Sequence, residues 1–225
     1  MKSILFIVTN HSELGSTGKK TGYWVSEVAH PYNYLKNKYN IVFASPKGGV
    51  SPVDPGSVVQ EANDKVSVEF LADPVGKELI ANTKVLSTLK PKDFDAILYP
   101  GGHGPMYDLF SDATSNAFAA ESWELGKVIA SVCHGPAGIA NVKLSDGTFL
   151  VAGKNLTGFA NTEEDAVQLS SVVPFLLEDK LKENGGKYTK IADWVSYVVA
   201  DGKLVTGQNP ASAEGVAKKI DELLS

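Results

Sequence analysis

The chain has a single cysteine, and it stands in Ser131-Val132-Cys133-His134-Gly135-Pro136. A thiol beside an imidazole is the pairing from which nucleophilic catalysis is built, because the base takes the proton and the sulfur attacks an electrophilic carbon. The apolar run before Cys133, residues 127–132, reads as a buried strand, and residues 134–140 read as a tight turn entering a helix. A strand that turns sharply into a helix with the nucleophile at the corner is a nucleophile elbow. A helix N-terminus adds unpaired N–H groups and partial positive charge, so this pattern predicts a thiol with its pKa lowered toward neutrality. Most free cysteines are packed structural residues, but such a residue has no need of His, Gly and Pro beside it at a strand end.

Two further segments carry chemistry. Pro100-Gly101-Gly102-His103-Gly104 follows an apolar run, and the glycines let backbone approach a ligand closely, with amides able to face a developing oxyanion. An ordinary tight turn accounts for the glycines alone nearly as well, and His103 is open between lining a pocket and being a satisfied turn histidine. Glu27 lies in the mainly apolar stretch from Gly22 to Pro31. Buried there, its carboxyl would have a raised pKa and could serve the thiol as hydrogen-bond donor or base. Pattern alone favours a solvated helix-face glutamate. Residues 15–22 lack the glycine and Lys-Ser/Thr spacing of a phosphate loop. The four histidines, 11, 30, 103 and 134, show no metal-ligand spacing, so no metal site is expected.

The elements that must position these residues alternate in type. Strands are expected at 3–8, 40–45, 94–99, 127–132, 148–152 and 155–157. A hairpin is expected at 194–206 around Asp201-Gly202, a pair that favours tight hairpin turns. Helices are expected at 23–35 with an interruption at His30-Pro31, within 57–93 with residues 84–89 the clearest piece, and at 115–126. Others are expected at 162–184 with a break near Pro174, and at 211–224. Continuous apolar strands separated by helices imply an α/β fold with a mostly parallel sheet covered on both faces. In such sheets sites form at the carboxyl ends of the strands, where Cys133 and the Gly101–Gly102 pair both fall.

Composition narrows the function classes. With 225 residues the expectation is one α/β domain over residues 1–225. A net charge of −5 without a basic patch argues against nucleic acid as the main partner. No apolar run approaches the roughly 18 residues of a membrane span, and the N-terminal run turns polar too soon for a signal peptide. One cysteine gives no disulfide framework and fits a reducing compartment. A cytoplasmic location is expected, with nuclear access in a eukaryote.

Taken together, Lys20-Thr21-Gly22 through Glu27 and His30-Pro31, Pro100-Gly-Gly-His-Gly104, Val132-Cys-His-Gly-Pro136, Thr157-Gly-Phe159 and residues 205–212 carry a resemblance. The chain resembles the DJ-1/PfpI superfamily, and within it the heat-shock-protein-31-like branch of glutathione-independent glyoxalases (glyoxalase III type). The resemblance implies a flavodoxin-like three-layer sandwich, usually dimeric. It implies a Cys133–His134–acid triad, with the acid at Glu164 by register from Thr157-Gly-Phe159 and with Glu163 and Asp165 as its neighbours. It implies a glutamate of the first helix, Glu27, on the thiol, and oxyanion donors in the Gly102 and His134 amides beside Gly101 and His103. Larger bacterial chaperone members carry an added segment with a metal site. This chain is too short for all of it, so no metal is carried over.

The activity so implied is a cofactor-independent lyase of the D-lactate dehydratase class, converting methylglyoxal or another small 2-oxoaldehyde to a hydroxy acid, in a homodimer. The base is Glu27 or His134. Rival readings are a stress-responsive holdase chaperone, a cysteine redox sensor, a deglycase-like repair activity and a PfpI-like protease. Class I glutamine amidotransferases and papain-like hydrolases draw their histidine from far downstream. No histidine follows His134 here.

Overall fold

Five runs are apolar along nearly their whole length, with no polar alternation to turn toward water, and in the computed structural model, which describes residues 1–225, each sits in or beside a central sheet. The strands are β1 (Ser3–Ile7), β2 (Asn40–Ser45), β3 (Lys84–Val85), β4 (Ala96–Tyr99), β5 (Val128–Val132), β6 (Asn155–Leu156), β7 (Lys187–Tyr188), β8 (Val198–Asp201) and β9 (Leu204–Gly207). The helices are α1 (Val25–Leu35), α2 (Pro55–Gln60), α3 (Lys65–Ala72), α4 (Pro74–Ala81), α5 (Ala113–Glu124), α6 (Ala137–Ala140), α7 (Asn161–Ala166), α8 (Leu177–Glu183) and α9 (Ala213–Leu224).

Seven strands form one sheet in the order β3-β2-β1-β4-β5-β9-β8. Every pairing is parallel except β8 with β9, the hairpin expected around Asp201-Gly202. All residues of β4 and β5 are buried, so both faces of the sheet centre are covered. Helix α9 packs on α1, β5 and β9, and α5 packs on β5. This is the flavodoxin-like α/β sandwich. The strand order reverses between β1 and β4, and a crevice at such a switch point is where α/β sheets place their ligands.

Four local readings are corrected. Helix α1 runs through Pro31 without interruption. The proline removes one donor to the carbonyl of Glu27, and burial of Val25, Val28, Ala29, Tyr32 and Leu35 against the core outweighs that loss. Residues 84–89 are not a helix: Lys84 and Val85 pair with Ala44 and Ser45 as an edge strand, and Leu86 closes into the core in a short 3₁₀ turn. Residues 148–152 form turns in place of a strand, because Leu150 donates to Val142 and Ala152 to Phe149. The break near Pro174 spans the whole stretch from Val167 to Leu176, and Gln168 within it takes φ +61°.

Candidate active site

Cys133 sits at the end of β5 with φ +58°, a left-handed conformation that a side-chain-bearing residue adopts only under constraint. Three backbone hydrogen bonds impose it: Cys133 donates to Gly207 at 3.0 Å, Gly135 to Val132 at 2.7 Å, and Phe159 to the Cys133 carbonyl at 2.8 Å. A Cβ on Gly135 would lie 2.0 Å from the Tyr99 carbonyl oxygen, so the corner closes only with glycine there. The result is the expected elbow, with the sulfur turned into a cavity of about 360 Å³ lined also by Gly102, His103, His134, Phe159 and Trp194.

The strand ends bring the other groups in. Helix α1 carries Glu27, fully buried, whose Oε2 accepts from the Gly101 amide at 2.7 Å. Its Oε1 has no nitrogen or oxygen partner, and the carboxyl's remaining polar neighbour is the Cys133 thiol. Burial pushes the Glu27 pKa up to about 8, against the lowering effect of the thiol and the Gly101 amide. The thiol differs from its sequence-based expectation. Burial first, then the charge of an ionised Glu27, push Cys133 well above the ordinary thiol value, and the Gly102 amide at the sulfur only partly offsets them. Helix α6, of four residues, is too short to supply the field expected of a helix N-terminus. Glu27 and Cys133 therefore titrate as a unit.

His134 Nδ1 lies 3.4 Å from the sulfur, and its Nε2 is 2.5 Å from Glu164 Oε2 on α7. The other carboxylate oxygen, Oε1, is 2.7 Å from His103 Nε2. Burial opposes ionisation of Glu164, but the two imidazoles outweigh it and hold the carboxyl well below the usual range. An ionised carboxylate only accepts, so both imidazoles carry hydrogen on Nε2, and Nδ1 of His134 is left as an acceptor facing the thiol. Burial lowers the His134 pKa despite the Glu164 charge, which keeps the ring neutral. Gly102 takes φ +84°, and a Cβ there would lie 2.3 Å from the Gly22 carbonyl oxygen. The His134 amide has no backbone acceptor.

The structure thus brings Cys133, His134, Glu27, Glu164, Gly101, Gly102 and His103 to one place. Glu163 points elsewhere, accepting from the amides of Ala160 and Trp194 and from Asn209 Nδ2. Sequence spacing hid the pairing of two histidines: His103, His134 and Glu164 present donor atoms within 4.8 Å of one another, a set able to hold a metal ion. In the structure the same atoms satisfy one another as two hydrogen bonds. Trp194, read from sequence as the start of the expected hairpin, precedes its first strand, lines the cavity and is 45% exposed. Phe159, its ring tilted against His134 with centroids 4.2 Å apart, was read only as part of a motif. Among the remaining histidines, His11 stacks on Tyr107 and His30 bonds Asp64.

The model of the DJ-1/PfpI family matches residues 21–223. The glutathione-independent glyoxalase HSP31 of Saccharomyces cerevisiae is 31% identical over 234 residues, covering 99% of this chain and 98% of that protein. The crystal structure of glyoxalase III from Candida albicans is similar with a TM-score of 0.91 at 29% identity, over 99% of this chain and 97% of that one. The structure of the Francisella tularensis Rapid Encystment Protein 24 KDa is similar with a TM-score of 0.95 at 41% identity, over the full length of both.

Proposed function

The chain belongs to the DJ-1/PfpI family, and on that premise we propose that it is a glutathione-independent glyoxalase that converts methylglyoxal to D-lactate. The observation that carries the reading is a thiol held between two proton carriers, Glu27 and the Glu164-oriented His134, at the floor of a small cavity. Similarity to proteins named as glyoxalases supports it.

In the proposed reaction His134 Nδ1 takes the thiol proton and the sulfur bonds to the aldehyde carbon. The carbonyl electron pair moves to oxygen beside the Gly102 and His134 amides. Glu27, acid at neutral pH, passes its proton to that oxygen and completes a hemithioacetal. The resulting carboxylate is a stronger base than an ordinary one and takes the proton from the former aldehyde carbon. It returns this proton to the neighbouring carbon while the hydroxyl proton moves to the second oxygen. One carbon is oxidised and the other reduced, leaving a thioester on Cys133. Water adds to the acyl carbon, its proton restores Glu27, and the sulfur leaves with the proton held by His134. Cys133 carries the acyl group that a free thiol would otherwise carry.

Lyase class, a homodimeric state and a cytoplasmic location belong to the same proposal, and they rest on the family resemblance. No helix is long and apolar enough to cross a membrane. The test is methylglyoxal consumption by the purified protein with no added thiol, coupled to an enzymatic assay specific for D-lactate. Stoichiometric D-lactate supports the reading, and consumption without it refutes it.

A further inference from the structure

Two features beside the site take no part in that chemistry. Trp194 has φ +65°, a conformation that suits glycine and strains a residue with a bulky side chain. Glu163 is fully buried, and its Oε1 accepts the Trp194 amide at 2.9 Å and Asn209 Nδ2 at 2.8 Å. Asn209 Nδ2 also reaches the Val195 carbonyl at 2.9 Å, so the pair clamps the backbone on both sides of the strained residue.

The clamp holds the indole in a particular place. Its ring stands edge-on to Phe159, with centroids 5.7 Å apart, and Phe159 lies on His134. A second cavity of about 340 Å³ adjoins the first, and Trp194, Gln60 and Pro210 line both. The indole is the largest of the three side chains shared by the two spaces.

We propose that Trp194, fixed by Glu163 and Asn209, is the partition that limits the length of substrate reaching Cys133, and that without it the two cavities act as one. It is a specificity determinant that leaves the reacting groups untouched. The substrates it admits are glyoxal and methylglyoxal, and those it excludes are 2-oxoaldehydes with an aryl or longer chain. The substrate classes rest on the function proposed above, but the partition itself does not.

The test uses the whole protein and reads Cys133 by intact mass. Alkylation rates are compared for iodoacetamide and the bulkier N-phenylmaleimide in wild type, Trp194→Gly and Trp194→Phe. Glycine relieves the left-handed strain and keeps the amide that Glu163 holds, so that variant folds, and Trp194→Phe keeps a ring at the wall. The bulky-to-small rate ratio is expected to rise about tenfold or more in Trp194→Gly and to stay within about twofold of wild type in Trp194→Phe. The kcat/KM ratio of phenylglyoxal to glyoxal should move in parallel. An unchanged alkylation ratio in Trp194→Gly, or an equal rise in both variants, overturns the partition. If wild type turns over neither dicarbonyl, the proposed function fails and the alkylation ratio alone decides the partition.

Discussion

Replacing Glu27 by Gln should make the protein more stable and less active, and the size of the first effect follows from the site. The Glu27 carboxyl is fully buried, and burial raises its pKa from near 4.5 to about 8. An unfolded chain loses this proton near 4.5, whereas the native state keeps it until about pH 8. Between those values the native state binds more protons, so stability contributed by this group falls as pH rises. At roughly 1.4 kcal/mol per pKa unit the full loss is about 4–5 kcal/mol by pH 8. Glutamine keeps the shape: its carbonyl can accept from the Gly101 amide, and its amide can face the Cys133 sulfur. Urea denaturation of both proteins at pH 5, 6.5 and 8 reads the difference. Near-equal stability at pH 5 and an advantage for Glu27→Gln of about 3 kcal/mol or more at pH 8 are expected. D-lactate formation should be abolished, since an amide cannot carry the proton between the two carbons. A difference that stays within about 1 kcal/mol across the range would refute the buried acid as a proton held into neutral pH.

Other outcomes follow from the same geometry. For wild type, kcat/KM should decline as pH rises through about 8, because the reaction begins from protonated Glu27 and an ionised carboxylate beside the sulfur opposes thiolate formation. Initial rates at low substrate from pH 6 to 9.5 check this, and a rate that climbs monotonically contradicts it. Glu164→Gln removes the charge that fixes both imidazoles and should lower kcat by about 10²–10⁴-fold with little change in KM. Steady-state kinetics measure the split. Gly135→Ala forces a Cβ to 2.0 Å from the Tyr99 carbonyl oxygen and should destabilise the fold by more than about 3 kcal/mol in urea unfolding.

What the sequence made legible was the part dictated by local chemistry. An apolar run ending at the only thiol, followed by His, Gly and Pro, could close only as an elbow, and the structure has one. The Asp201-Gly202 hairpin was read from its turn residues and the apolar runs on either side, and its first strand begins at Val198, four residues later than expected. For Glu27 the pattern favoured a solvated helix face and only the resemblance placed it at the thiol, because it is tertiary packing that buries an isolated carboxyl. The thiol's environment was misjudged for a related reason: local pattern offered a helix terminus, whereas burial and the Glu27 carboxyl, brought in by helix α1, dominate. His103 and His134 are 31 positions apart in sequence and meet on Glu164 only because β4 and β5 are neighbours in the sheet. Residues 84–89 carry a helical spacing of apolar side chains, but pairing at the sheet edge outweighed it.

In the proposed reaction everything turns on the sulfur of Cys133 carrying the acyl group. The most direct measurement compares D-lactate produced from methylglyoxal, without added thiol, by wild type and by Cys133→Ala. Wild type should yield lactate, and a variant that melts at or near the wild-type temperature should yield none. Lactate from Cys133→Ala at a rate comparable to wild type would contradict that reaction.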